Sequence, residues 1–190
     1  MGKGRLEAFS DGVIAVIITI MVLELKAPHG DALSDLTKLL PTFLIYVLSF
    51  IYLGIYWVNH HHFLHAVEKV SGGLLWANLH LLFWLSLIPF TTAWMGENHF
   101  TTWPVVVYAT NLLACAVAYT IVTAVVLRLE GPNSKFARAI GSDKKGRVSL
   151  LLYLISIPIA FYAPMMSCAL FVAVAAIWLV PDRRIEHVLR

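Results

Sequence analysis

The chain has 190 residues, of which 59% are hydrophobic and only 13% are charged. Soluble proteins are less apolar and carry about twice that share of charged residues. The composition therefore excludes an ordinary soluble enzyme and predicts an integral membrane protein. The net charge of +3 does not indicate a nucleic-acid partner, because the basic residues lie in segments that flank apolar runs.

Six apolar segments predict six transmembrane helices, since about 20 apolar residues in a helix cross a bilayer core. They cover residues 6–26, 40–63, 74–95, 103–127, 148–162 and 164–180. The last two are joined so closely, at Ala163 and Pro164, that we expect an antiparallel hairpin. The sequence has no convincing internal repeat, so we predict one all-α, six-helix transmembrane domain over residues 1–190.

The distribution of basic residues predicts the orientation of the chain. With six spans both termini lie on one side, and that side holds all the Lys and Arg residues except Lys26 and Lys38. Cytoplasmic loops carry an excess of Lys and Arg. Both termini are therefore expected in the cytoplasm, as is the basic loop at residues 131–146.

The first predicted helix has one distinctive face. At about 100° per residue, a single stripe contains small and branched residues and one hydroxyl; it consists of Gly12, Val16, Thr19, Ile20 and Leu23. Small and branched residues favour ordinary helix packing in membranes. The same stripe could also form the wall of a narrow pore, with rings of apolar side chains and a ring of hydroxyls. The residues alone leave both interpretations open.

Polar residues from three helices are expected at the cytoplasmic ends. Arg5, Ser10 and Asp11 begin the first helix, while Trp57 and a run of histidines end the second and Asn78 begins the third. Buried polar groups in a membrane need one another as hydrogen-bond partners. A hydrogen-bonded network that fixes the first helix is the simplest interpretation.

Two other functional classes were considered. His61 and His65 are four residues apart and, with His80, could hold a metal or haem in a membrane enzyme. However, no Glu-x-x-His pattern or cysteine pair accompanies them. A secondary transporter would need an inverted repeat and broken helices, for which Pro89 and Pro158 are weak indications.

The string Arg5-x-x-x-Phe9-Ser10-Asp11, placed at the start of a first helix, resembles the signature of the transmembrane protein 175 family of potassium channels. Matching residues in the second and third helices are Trp57, Asn59, His60, His61 and Asn78. The resemblance implies that the first helix of each of four chains lines a central pore, without the Thr-Val-Gly-Tyr-Gly filter of other potassium channels. That filter string is absent from this sequence as well.

By position, the resemblance implies a hydrophobic constriction at Val16, a selectivity-linked threonine at Thr19 and a further apolar ring at Leu23, with Gly12 and Ile20 on the same face. It implies a polar network of Arg5, Phe9, Ser10, Asp11, Trp57, Asn78 and either His60 or His61. The expected protein is a homotetrameric, potassium-permeable channel in a prokaryotic inner membrane. Its expected partners are membrane lipid and potassium ions, and we expect no cofactor, no resident metal and no enzymatic activity.

Overall fold

The computed structural model describes residues 2–141 and 143–179. Across these residues the regular structure is helical throughout. The helices are α1 (Lys3–Met21), α2 (Leu33–Thr37), α3 (Leu40–Ala66), α4 (Gly72–Ser86), α5 (Ile88–Glu97), α6 (Thr102–Glu130), α7 (Lys135–Ile140), α8 (Lys144–Ala160) and α9 (Pro164–Leu179). The predicted end of the sixth span at Val180, and Arg183, Arg184 and Arg190, lie outside the described residues.

Four helical segments are long and apolar enough to cross a membrane: Lys3–Glu24, Leu40–Ala66, Gly72–Glu97 and Thr102–Glu130. The prediction of an all-α membrane protein is confirmed at this level. Helices α8 and α9 have 17 and 16 residues, respectively. They pack against each other on either side of a three-residue link, as a hairpin requires. Their role as the fifth and sixth spans, like the cytoplasmic location of the termini, remains a prediction.

The boundaries differ from the predicted spans in two places. The first helix ends at Met21 and continues as a short 3-10 turn, Val22–Glu24, so Leu25 and Lys26 lie beyond it. The third span is divided at Leu87 into α4 and α5. Pro89 explains the division, because proline lacks the backbone N–H that would bond to the Leu85 carbonyl four residues back, and its ring crowds that carbonyl.

Short polar side chains define several helix starts. The side-chain oxygens of Ser71, Ser134 and Asp143 accept hydrogen bonds from backbone N–H groups in the first turns of α4, α7 and α8, respectively. Gly131 ends α6 with a φ of 90°, a conformation that favours glycine. The short helix α7 thus forms within the basic loop at residues 131–146, where no helix was predicted from the sequence.

Helix α1 lies against α3, α4 and α5, and α6 contacts both α4 and α8. The buried face of α1 shares one apolar core with residues of α3, α4 and α6, including Ile14, Leu53, Leu81 and Cys115. A second core joins α3, α5, α6, α8 and α9. Helix α1 is therefore packed at one edge of the bundle, with its other face left outside.

Helices α3 and α5 approach each other closely at Gly96. A Cβ atom at this position would lie 2.8 Å from the Thr42 Cα atom and 2.9 Å from its methyl group. Overpacking of this kind costs about 1–3 kcal/mol. Since the nearest atom of Thr42 belongs to the backbone and cannot rotate away, α3 and α5 would have to separate.

We therefore expect Gly96→Ala to lower the melting temperature of the detergent-solubilised protein by roughly 3–10 °C. Gly54→Ala in α3 is the matched control, because nothing lies within 4 Å of its Cβ position. Thermal unfolding followed by circular dichroism measures both. Equal melting temperatures for the two variants would contradict the proposed close approach.

Candidate functional site

The five residues of the predicted stripe are all exposed; four lie in α1, and Leu23 lies in the 3-10 turn that follows it. Val16 is 55% exposed and Leu23 is 74% exposed. The opposite face is buried in the bundle through Leu6, Ser10, Ile14, Ile17 and Met21. The stripe is thus an apolar surface that the single chain leaves uncovered. Helices of the same chain do not cover the stripe, and whether it packs against other helices or lines a pore remains a prediction.

A groove of about 890 Å³ lies between α1 and the α4–α5 segment. Apolar side chains form most of its lining, including Val16 and Ile20 from α1 and Phe90 and Trp94 from α5. Charged groups stand at one end, where the Lys26 ammonium lies 2.8 Å from the Glu97 carboxylate. The hydrogen bond and the charge of Glu97 raise the pKa of Lys26 above its ordinary value.

Thr19 is the one hydroxyl in the stripe. Its Oγ1 donates a hydrogen bond to the backbone carbonyl of Val16, one turn back, at 2.9 Å. The proton is therefore engaged along the helix, and the lone pairs of the oxygen remain available. A threonine in this state presents an acceptor to water or to a cation.

A chain of buried hydrogen bonds holds the other face of α1. His60 Nε2 lies 2.7 Å from Asn78 Oδ1, Asn78 Nδ2 donates to Ser10 Oγ at 2.9 Å, and Ser10 Oγ donates to the Leu6 carbonyl at 2.8 Å. Because the Asn78 carbonyl oxygen only accepts, His60 carries a proton on Nε2. The chain joins α3, α4 and α1 and ends on the α1 backbone. It fixes which face of α1 points into the bundle.

A second set of contacts connects α1 and α3 at successive turns. Lys3 Nζ donates to the carbonyl of His65 at 2.8 Å, Glu7 Oε1 lies 3.3 Å from His61 Nδ1, and Trp57 Nε1 donates to Asp11 Oδ1 at 3.1 Å. Each step of four residues along α1 matches a step of four back along α3, as two antiparallel helices in fixed register require.

The structure divides the predicted polar network into two parts. Ser10, Asn78 and His60 form the buried chain, while Asp11 and Trp57 pair at its margin. His60, not His61, bonds to Asn78, which answers the question that the sequence left open. Arg5 and Phe9 do not join these bonds within the chain, because both side chains are exposed on the outer side of α1.

The three-histidine arrangement considered as a metal or haem site is not assembled. His80 Nε2 instead accepts a hydrogen bond from Trp84 Nε1 at 2.9 Å. Its place beside His61 and His65 is taken by Glu7, a residue that the sequence reasoning did not connect with them. The signal was present in the spacing: Glu7 and Asp11 are four apart, and so are Trp57, His61 and His65.

Comparison with known proteins gives the family. Residues 5–89 match the family model described as "Endosomal/lysosomal potassium channel TMEM175". A protein from Chryseobacterium sp. (strain P1-3), named as a potassium channel, is 54% identical over 190 residues, which cover 100% of this chain and 99% of that protein. The chain belongs to the TMEM175 family. The family resemblance predicted from Arg5, Phe9, Ser10 and Asp11 is confirmed.

Two further similar proteins extend the comparison. A potassium channel from Streptomyces collinus is 36% identical over 125 residues, 62% of this chain and 61% of that protein. The crystal structure of a lysosomal potassium-selective channel TMEM175 homolog from Chamaesiphon minutus superposes with a TM-score of 0.82 at 30% identity, covering 95% of this chain and 97% of that one. These relatives are named as channels, which favours a channel over an enzyme or a transporter. The stripe and the buried chain of hydrogen bonds lie within the matched residues 5–89, and so does the second set of contacts except for Lys3.

Proposed function

We propose that the chain is one subunit of a homotetrameric, potassium-permeable channel in a bacterial inner membrane, and that ions move passively along an axis surrounded by four copies of α1. The observation that carries the proposal is the exposed stripe from Gly12 to Leu23 on a helix whose other face is held by polar contacts. The names of the bacterial relatives support potassium as the permeant ion.

The stripe has the chemistry that a narrow pore needs. Four Val16 side chains around an axis would form an apolar constriction that closes by losing water, and Leu23 would form a second apolar ring. Four Thr19 oxygens, each with its proton directed to a backbone carbonyl, would replace part of the hydration shell of a potassium ion. Gly12 and Ile20 would complete the wall.

Charge supports a cation path as well. Asp11 and Glu24 stand near the two ends of the stripe, and negative groups at the mouths of a pore raise the local concentration of cations. Since no ring of backbone carbonyls is proposed, we expect modest selectivity. The apolar outer surface would contact membrane lipid, and conduction by this route requires neither a cofactor nor a catalytic residue.

Potassium flux from reconstituted vesicles tests the proposal. Vesicles loaded with potassium and diluted into a potassium-free buffer should take up protons through an added protonophore as potassium leaves, and a pH-sensitive dye reports the rate. We expect a rate about tenfold or more above that of protein-free vesicles, since a conducting path lowers the barrier by at least about 1.4 kcal/mol. A rate equal to that of empty vesicles would overturn the proposal, as would uptake of protons before the protonophore is added.

The assembly has its own measurement. Crosslinking of the detergent-solubilised chain should yield a tetramer as the largest discrete species. A cysteine placed at Leu23, the most exposed large apolar residue of the stripe, should crosslink between copies, because a closed ring brings equivalent residues together around its axis. A monomer under conditions that support flux would contradict the four-chain pore.

A further inference from the structure

The contact between Glu7 and His61 is part of a larger cluster. One ligand atom from each of Glu7, His61 and His65 lies within 4.8 Å of the other two. Glu7 comes from α1, and both histidines come from the last turns of α3. We propose that this cluster is a binding site for a divalent transition-metal ion, with Zn²⁺ as the best fit, that bridges α1 and α3 within one chain.

The ligand set suits zinc. Imidazole nitrogen and carboxylate oxygen are both zinc ligands, and three protein ligands with water in the fourth position form an open tetrahedral site. Two histidines four residues apart on one helix face can bind the same ion. Here the ring centroids of His61 and His65 are 5.2 Å apart.

The spacing also fits. Zinc bonds of about 2.0–2.2 Å in a tetrahedron place two ligand atoms about 3.3–3.5 Å apart. The Glu7 Oε1 atom lies 3.3 Å from the His61 Nδ1 atom. Only His65 must therefore move closer, and it is an exposed residue that is free to change its side-chain torsion.

The surroundings allow an ion to enter. The side chains of Glu7 and His61 retain 24% and 42% of their exposure, so the cluster opens to solvent. Lys3 is directed to the backbone carbonyl of His65 and leaves the Glu7 carboxylate to the histidines. Asp11, one turn along α1, adds negative charge nearby.

The competing explanation is a simple ion pair between Glu7 and a protonated His61. That pair needs neither His65 nor a metal, so the contribution of His65 separates the two accounts. His62 provides a matched control. It is the adjacent histidine on α3, but it lines a different cavity with Phe63 and Tyr119 and is not part of the cluster.

The test is a titration of the full-length, tag-free protein with Zn²⁺ by calorimetry, and with Co²⁺ by visible absorption. We expect one saturable ion per chain and cobalt bands typical of tetrahedral coordination. His65→Asn and His61→Ala should each weaken binding about 100-fold or more, and Glu7→Gln at least about tenfold, because loss of even an outer partner costs 10–100-fold. His62→Ala should bind as the wild type does.

Thermal unfolding gives a second readout that does not depend on ion flux. Zn²⁺ should raise the melting temperature of the wild type and of His62→Ala, and should raise that of Glu7→Gln by less at the same ion concentration, because weaker binding stabilises the folded state less. Absence of saturable binding in the wild type, or equal binding by His65→Asn, would overturn the proposal. Since the site lies within one chain, either result leaves the potassium-channel proposal standing.

Discussion

Replacement of Val16 by asparagine is expected to increase potassium flux about tenfold. An apolar ring at the narrowest point of a pore excludes water, and an amide ring of similar size holds it. A tenfold rise corresponds to lowering the barrier by about 1.4 kcal/mol. Val16 is 55% exposed and does not belong to the buried core that the other face of α1 joins. The dye-based flux assay measures the change.

Val16→Ile is the matched control for this prediction. Isoleucine keeps the ring apolar and adds one methylene group, so flux should fall below that of the wild type. The expected order of potassium flux, from highest to lowest, is therefore asparagine, valine and isoleucine at this position. A higher flux in Val16→Asn cannot arise from misfolding. Equal potassium flux rates for all three proteins would show that Val16 does not line the ion path.

Replacement of Asn78 by leucine is expected to destabilise the protein by roughly 1–3 kcal/mol and to lower its melting temperature by roughly 3–10 °C. Asn78 is buried and makes two hydrogen bonds, one to His60 and one to Ser10. Leucine can neither accept a hydrogen bond from His60 nor donate one to Ser10. The His60 Nε2 proton would therefore be left buried and unbonded. The other ring nitrogen, Nδ1, already lacks a hydrogen-bond partner among the described residues.

Asn59→Leu tests whether this loss is specific to the bridging amide. Asn59 is also an asparagine in a helix long enough to span a membrane, but among the described residues its amide donates only to the Ile55 carbonyl of its own helix. We expect Asn59→Leu to change the melting temperature by less than half as much as Asn78→Leu does. If Asn59→Leu were as destabilising as Asn78→Leu, the link between helices would not be the cause. Flux should also fall in Asn78→Leu, because α1 would lose its attachment to α4.

The main helices and the exposed stripe could be predicted from sequence because both depend on local periodicity. Gly12, Val16, Thr19, Ile20 and Leu23 fall on one side of any regular helix. The same reasoning missed α2 and α7, since short helices depend on caps and on packing against neighbours. It also extended the first helix to Lys26, whereas the chain leaves the helical path after Glu24 and Lys26 pairs with Glu97.

The polar contacts were predictable only in part. Ser10, Asn78 and His60 were expected at one depth, but the choice between His60 and His61 depends on the rotation of α3, which spacing alone does not fix. The pairing of Glu7 with His61 could have been predicted from the sequence. Once Asp11 pairs with Trp57, antiparallel register pairs Glu7 with His61 one turn away. The arrangement of four chains around an axis is a property of the assembly, and one sequence does not contain its geometry.

The polar contacts of α1 have a mechanical consequence. Within the described residues, every hydrogen bond or ion pair from α1 side chains to other helices comes from its first half, at Lys3, Glu7, Ser10 and Asp11. Beyond Asp11 the helix is held by apolar contacts, and the link to Glu97 comes from Lys26 in the following loop. Apolar contacts resist sliding and twisting less than directed hydrogen bonds do. Helix α1 is therefore held most rigidly near its N-terminus and least rigidly near Leu23, so a given force displaces the Leu23 end farthest.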